Sequence, residues 1–473
     1  MALRNEQQSI ADKNFRKGPF LAVLMAGVFV AILNQTLLAT ALPHIMDDLD
    51  INANVAQWLT TVFMLVNGVM IPITAFLIGK FSTRRLFLAA IGLFAAGTII
   101  CAVAPGFPLL MVGRIVQASG AGIMMPLTQT ILFIVFPVEK RGQAMGLFGL
   151  VISFAPALGP TLSGWIVEQY PWRALFYIVI PIALADFVLA YFLLRNVTKQ
   201  TFPKLDLPSV IFSTFGFGGI LYGFSSAGNS GWGSWPVILS VAVGIVSLIV
   251  FIRRQSRLKE PLLEFGVFSY GIFTLSTILS VIVFISMIGS ATILPIYMQN
   301  MHGFTAFESG LMLLPGAIIM GAMNPVAGKI FDAAGGKWLA VVGLLIVTVS
   351  TFQFSVLTTT TSFAYLAVMH AIRMFGVSLV MMPVTTAGLN QLPERLIPHG
   401  TAMSNTMRQV SGSIGTALLV TIMTGTALDP QQYGAEGLVR GVNISFVVVG
   451  VLSGIGVFLA FFLKKAEPAK SRE

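Results

Sequence analysis

Residues 79–85 read GKFSTRR, and residues 328–337 read GKIFDAAGGK. Each is a short basic turn between two apolar runs, and the copies begin 249 residues apart. Other strings recur at nearly the same distance. RGQAM (141–145) returns as HGTAM (399–403), and MMP ending at Pro126 returns ending at Pro383, at offsets of 258 and 257. An arginine inside an apolar run precedes each MMP, Arg114 in one copy and Arg373 in the other, 259 residues apart. The chain therefore carries an internal repeat, and the repeat fixes how everything between the turns is counted.

Runs of about twenty apolar residues have the length that crosses a bilayer as a helix. They fall near 20–41, 58–79, 86–104, 107–135, 143–167 and 172–194, and again near 270–298, 306–328, 338–357, 363–388, 401–423 and 443–463. Two more, 207–226 and 236–253, stand between the repeats. The expected fold is an all-α polytopic membrane protein of fourteen spans: a six-helix bundle over 1–195, two inserted helices over 196–265, and a second six-helix bundle over 266–473. Composition agrees, because 56% of the 473 residues are apolar and only 10% are charged, against roughly a quarter charged in soluble domains.

The net charge of +10 does not indicate nucleic acid, because the basic residues sit in particular loops. With the N-terminus inside, 23 of the 28 Lys and Arg fall in inner segments and only Arg173 and Arg440 in outer ones. That bias places both termini in the cytoplasm of a multi-pass plasma-membrane protein. No small-residue cleavage site follows the first apolar run, so it is expected to remain as a span. The single cysteine, Cys101, lies in an apolar run and reads as a small buried side chain. There is no phosphate-binding loop, HExxH, GxSxG or metal-ligand spacing, so neither an enzyme nor a cofactor is expected.

Paired bundles related by a repeat are the build of many secondary transporters, with the substrate held between the halves near mid-membrane. The motifs fit that build. Gly79 permits a tight turn before Arg84 and Arg85, and Asp332 adds an acid to the second copy. RIVQASGAGIMMP (114–126) sets Arg114 and Gln117 one turn apart, with Gly120 and Gly122 for close helix approach. An arginine at membrane depth is a functional candidate by default. APALGPTLSGW (155–165) places Gly159, Pro160 and Gly164 on span 5, a bent and closely packed helix.

These stretches resemble the motifs of the major facilitator superfamily. GKFSTRR is similar to its loop signature between spans 2 and 3, with Thr83 where the family carries Asp. RIVQASG resembles its span-4 RxxQG motif, with Ala118 for glycine, and APALGPTLSGW resembles its antiporter motif, which goes with export. PWRALFYIVIP (171–181), with Val179 at a place that is usually Asn, and NTMRQVSGSIG (405–415) complete a likeness to the fourteen-span drug:proton antiporters. The first span, AILNQTLLATALP (31–43), resembles that of lincomycin-resistance and multidrug exporters of Gram-positive bacteria, with Asn34 where related proteins often have Asp. The resemblance implies a proton-coupled exporter of amphiphilic drugs that works as a monomer by alternating access, with small molecules, protons and the bilayer as partners. An exporter of one endogenous metabolite, peptide or lipid, or a membrane receptor or scaffold, stands as the alternative.

Few groups are available to carry a proton. Of the eighteen acids, all but three fall in loops or tails; Glu168 and Glu308 lie near outer span ends, and Asp186 lies deep in span 6. A carboxylate away from water is costly to keep charged and marks function, so Asp186 leads and Glu308 follows. Arg114 belongs to the same candidate set. His370, three residues before Arg373 on the same helix face, is first a polar cavity residue and second a titrating one. The cavity is expected to be lined by Asn34, Gln35, Asn67, Gln117, Gln129, Asn324, Asn405 and Arg408, with adaptable methionines around them.

Overall fold

The computed structural model describes residues 17–198 and 200–464. Arg4, Lys13, Arg16, Lys199, Lys465, Lys470 and Arg472, counted above in the charge bias, lie outside it, as does the side chain of Pro160. Among the described residues the chain forms fourteen long helices and no strand. In the first bundle these are α1 (Lys17–Leu49), α2 (Ala53–Lys80), α3 (Thr83–Val103), α4 (Phe107–Val135), α5 (Arg141–Gln169) and α6 (Ala174–Leu193). The inserted pair is α7 (Leu207–Ser230) and α8 (Trp235–Gln255). The second bundle comprises α9 (Gly271–Asn300), α10 (Ala306–Ala334), α11 (Lys337–Gln353), α12 (Phe363–Asn390), α13 (Ile397–Thr426) and α14 (Pro430–Ala460).

Helices form because a backbone in hydrocarbon must satisfy its own hydrogen bonds. Their polar ends run beyond the apolar cores, so several start or stop well outside the expected spans. α1 continues to Leu49, and α14 starts at Pro430 under the Asp429 cap, with a break at Gly434 (φ 60°). Thirteen of the fourteen are long and apolar enough to cross a membrane. The exception is α13, whose Asn405, Arg408, Gln409 and Ser413 face an internal cavity instead of lipid.

Within the first bundle α4 packs against α2 and α3, while α1 packs against α5 and α6. In the second, α12 packs against α10 and α11, and α9 against α13. α4, with Arg114, is the most deeply buried helix, and α8 the least. The bundles meet along two seams, α5 with α10 and α2 with α13. The first is the most extensive helix pair in the molecule, and glycines make it close. A Cβ on Gly146 would come 2.5 Å from the Asn324 carbonyl, and one on Gly149 would come 2.9 Å from Asn324 Cγ. Small residues of this kind are what lets membrane helices approach.

The inserted α7 occupies the outside of the second seam, packed on both α2 and α13. Trp58 of α2 stacks on Tyr222 of α7 with centroids 5.5 Å apart. Ser413 of α13 donates to the Leu221 carbonyl at 3.4 Å, and Trp232, after α7, donates to Thr421 at 2.6 Å. The linker before α7 is tied to the first basic turn. Thr83 accepts from the backbone N–H of Val197 and of Thr198, each at 3.2 Å, and meets the Thr198 hydroxyl at 2.8 Å.

Candidate functional site

Between the bundles lies a cavity of about 870 Å³. Its lining runs from Asn324, Met382 and Asn405, each in the half of its helix nearer the basic turns, to Gln57, Ile296, Gly310 and Val420. These last four lie near the helix ends opposite the basic turns. The cavity thus reaches toward that opposite end. At the basic end the halves are joined. Asp332 of α10 accepts from the first N–H groups of α5, Gly142 at 2.7 Å and Gln143 at 2.9 Å, where a helix start favours a negative charge. Arg141 donates to Asn390 at 3.0 Å, and Thr130 meets Thr401 at 2.8 Å. Nearer mid-depth, Asn405 donates to Gln129 at 2.5 Å and Asn324 to Ser153 at 2.9 Å. A Cβ at Gly328 would run into the Gly142 carbonyl.

The two basic turns do different work. Asp332, in the second copy, crosses to the opposite bundle. The first copy turns away from it: Gly79 accepts from Thr201 and Phe202 N–H, Arg84 lies 4.6 Å from the centre of the Tyr191 ring, and Arg85 is exposed. Thr83, in place of the family's Asp, holds the linker to α7.

Arg114 and Arg373 are fully buried and occupy corresponding places in the two bundles. Arg114 donates from Nη1 to Asn34 at 2.9 Å and Gln117 at 2.6 Å, from Nε to the Leu59 carbonyl at 3.1 Å, and lies 4.2 Å from the centre of the Phe63 ring. Gln117 in turn donates to Thr98 of α3 at 2.7 Å. Arg373 donates from Nη2 to the carbonyl and, at 2.7 Å, the hydroxyl of Ser286 on α9, and from Nε to Thr351 of α11 at 3.1 Å. Ser286 and Thr351 are the repeat counterparts of Asn34 and Thr98, 252 and 253 residues on. Gly376 stands at the offset of Gln117, so this arginine reaches Thr351 directly. Every acceptor named here is neutral.

Several expected site residues therefore fall elsewhere. Gln35, Asn67, Asn324, His370, Asn405 and Arg408 line the cavity. Asn34 and Gln117 do not, because both are turned into the protein as acceptors for Arg114, and Gln129 reaches the site only through Asn405. Glu308, the second proton candidate, closes a capping box instead: it accepts from Thr305 N–H at 2.8 Å while Thr305 accepts from its own N–H at 3.2 Å. Asp186 is 2% exposed, and neither of its oxygens has a hydrogen-bond partner among the described residues. It lies behind α1, outside the cavity lining, where a Cβ on Gly27 would come 2.9 Å from its Oδ2. In α5, Gly159 abuts Thr36 of α1, whereas Gly164 faces open space and is not needed for close packing. Ser163, where the motif has glycine, donates to the Leu37 carbonyl at 2.6 Å. Asp48 was not singled out in the sequence, yet it anchors the PWR motif, accepting from Arg173 at 2.7 Å and Trp172 at 3.0 Å.

Known proteins share this arrangement. The family model of the Major Facilitator Superfamily matches residues 24–416. The MFS-type transporter YcnB of Bacillus subtilis (strain 168) is 54% identical over 98% of this chain and 99% of its own. The lincomycin resistance protein LmrB of Listeria monocytogenes is 40% identical over 98% of this chain and 100% of its own. Among solved structures, the proton:xylose symporter XylE has a TM-score of 0.65 over 95% of this chain and 96% of its own, at 13% identity, a likeness of fold alone. With two repeat-related bundles about one cavity, and with these relatives across nearly its whole length, the chain belongs to the Major Facilitator Superfamily.

Proposed function

We propose that the protein exports small amphiphilic molecules, antibiotics among them, in exchange for protons, acting as a monomer by alternating access. The cavity is the observation that carries this reading: a space of about 870 Å³ between the two bundles, joined shut at the basic end and reaching toward the other. With the basic turns on the cytoplasmic side, as the positive-inside rule has it, this conformation faces outward and corresponds to the stage at which cargo leaves. A mostly apolar wall with a few placed polar groups suits amphiphiles, and its methionines adapt to varied shapes. The lincomycin resistance of a relative at 40% identity supports antibiotics as cargo.

Asp186 is the proton carrier of this reading. Its oxygens lack partners among the described residues, and it lies against α1, which lines the cavity, so a change in its charge acts on a moving wall. The test is transport in proteoliposomes with an imposed pH gradient, using a panel of fluorescent amphiphiles and lincomycin. Wild type accumulates several of them, and Asp186→Asn loses gradient-driven accumulation at least tenfold while still exchanging cargo without a gradient. Full coupling in Asp186→Asn removes that residue from the mechanism. Indifference to the whole panel favours a single-metabolite exporter.

A further inference from the structure

Charge is distributed one-sidedly around the cavity. Among its described lining residues there is no Asp or Glu, whereas Arg408 and His370 both face it. Arg408 is 3% exposed, and only part of its guanidinium is engaged: Nη2 donates to Asn405 at 2.5 Å, while Nη1 has no partner among the described residues. Nδ1 of His370 has none either. The other two buried arginines also each leave one terminal nitrogen without a partner among the described residues, Nη2 of Arg114 and Nη1 of Arg373, but their remaining nitrogens are held by two or more acceptors of their own bundle, and neither lines the cavity. Of these three guanidiniums, Arg408 is the one whose unengaged donor is in the wall that cargo meets.

A guanidinium at membrane depth with one neutral acceptor is expensive, and an oxyanion relieves it by presenting two oxygens to neighbouring N–H donors. Next to it the wall turns apolar. Gly412, one turn along α13, lets Phe284 approach so closely that a Cβ there would come 2.8 Å from the ring, and Met287 and Met374 continue the surface. We infer that the cargo is anionic: an amphiphile whose carboxylate, sulfonate or phosphate pairs with Arg408 while its apolar body lies along α9 and α12. The inference rests on the export reading and narrows it. A cationic amphiphile would bring a second uncompensated charge to Arg408, and the buried carboxylate Asp186 stands outside the cavity, where it does not repel an anion.

The test uses the full chain and three dansyl-labelled decyl probes that differ only in the head: carboxylate, primary amide or trimethylammonium. Binding is followed by fluorescence in detergent and uptake in proteoliposomes. The carboxylate probe binds at least tenfold tighter than the trimethylammonium probe; R408Q erases the difference between carboxylate and amide, and R408K keeps part of it. Equal or tighter binding of the trimethylammonium probe overturns the inference without any variant, and so does undiminished discrimination in R408Q. Gradient-driven transport of all three probes without preference leaves export standing and the anion assignment fallen. Failure of all three to bind or move overturns both.

Discussion

Asp332, in the last turn of α10, accepts the backbone N–H of Gly142 at the start of α5 at 2.7 Å. The carboxylate belongs to one bundle and the helix end to the other, so the contact exists only while the basic end is closed. Asp332→Ala removes a charged cap, worth about 1–2 kcal/mol, and shifts the population toward a state open at the basic end by about tenfold. Spin labels at the exposed Lys140 and Ala333 report the separation, with little background because the native Cys101 is buried. An unchanged distance distribution would show that Asp332 does not hold the halves together.

Asn34 sits 2.9 Å from Arg114 and outside the cavity lining, so Asn34→Asp acts on the arginine first. It supplies the missing counter-charge, and the expected outcome is a higher melting temperature with cargo charge preference unchanged. Asn34→Leu strips an acceptor from a buried cation and costs about 1.5–3 kcal/mol. Thermal melts in detergent, read beside the three-probe comparison, decide the matter; an altered cargo preference with an unaltered melt would put Asn34 in the cavity after all.

Thr83 is buried and accepts two backbone N–H groups of the linker to α7. Thr83→Val leaves those donors unpaired, at a cost of about 1–3 kcal/mol each, and Thr83→Ser keeps them satisfied. Limited proteolysis across residues 196–206 checks this: faster cleavage in the valine variant only. Equal rates in both variants would refute the tie.

Asp206 caps α7 and takes a two-pronged contact from Arg254 at 2.6 and 2.7 Å. These hydrogen bonds hold its carboxyl well below the usual carboxylate range. Because the folded value is depressed, the stabilisation is present above the unfolded value of about 3.9 and is lost as pH falls below it. Asp206→Asn therefore melts below wild type at pH 7, and the gap narrows between pH 5 and pH 3. A gap that stays constant with pH would assign the effect to packing.

Much of the architecture was legible because a bilayer imposes long apolar runs and the repeat sets their number. That Arg114 and Arg373 are counterparts was legible from their offset alone. The partners were harder. Asn34 is polar and mid-span, which reads as cavity lining, and only the rotation of α1 about its axis turns it toward Arg114. Glu308 was readable and was missed: Thr305, Ala306, Phe307, Glu308 is a capping-box spacing before an apolar run, which predicts the cap that the structure contains. Gly164 fits a packing motif, yet what a glycine meets depends on a neighbouring helix that the motif does not specify. The place of α7 had no local signal, since hydropathy is blind to which seam a helix covers.

That place has a consequence for molecules dissolved in the lipid. α7 walls the α2–α13 seam and contributes Leu221, Phe224 and Ser225 to the cavity surface, so a third helix stands between that side of the cavity and the acyl chains. Among the described residues the α5–α10 seam has no such cover, and its flanks present Leu147, Trp165, Leu311 and Ile318 outward. The transporter is thus a book bound differently along its two edges, by a third helix on one and by glycine-close packing of the halves themselves on the other.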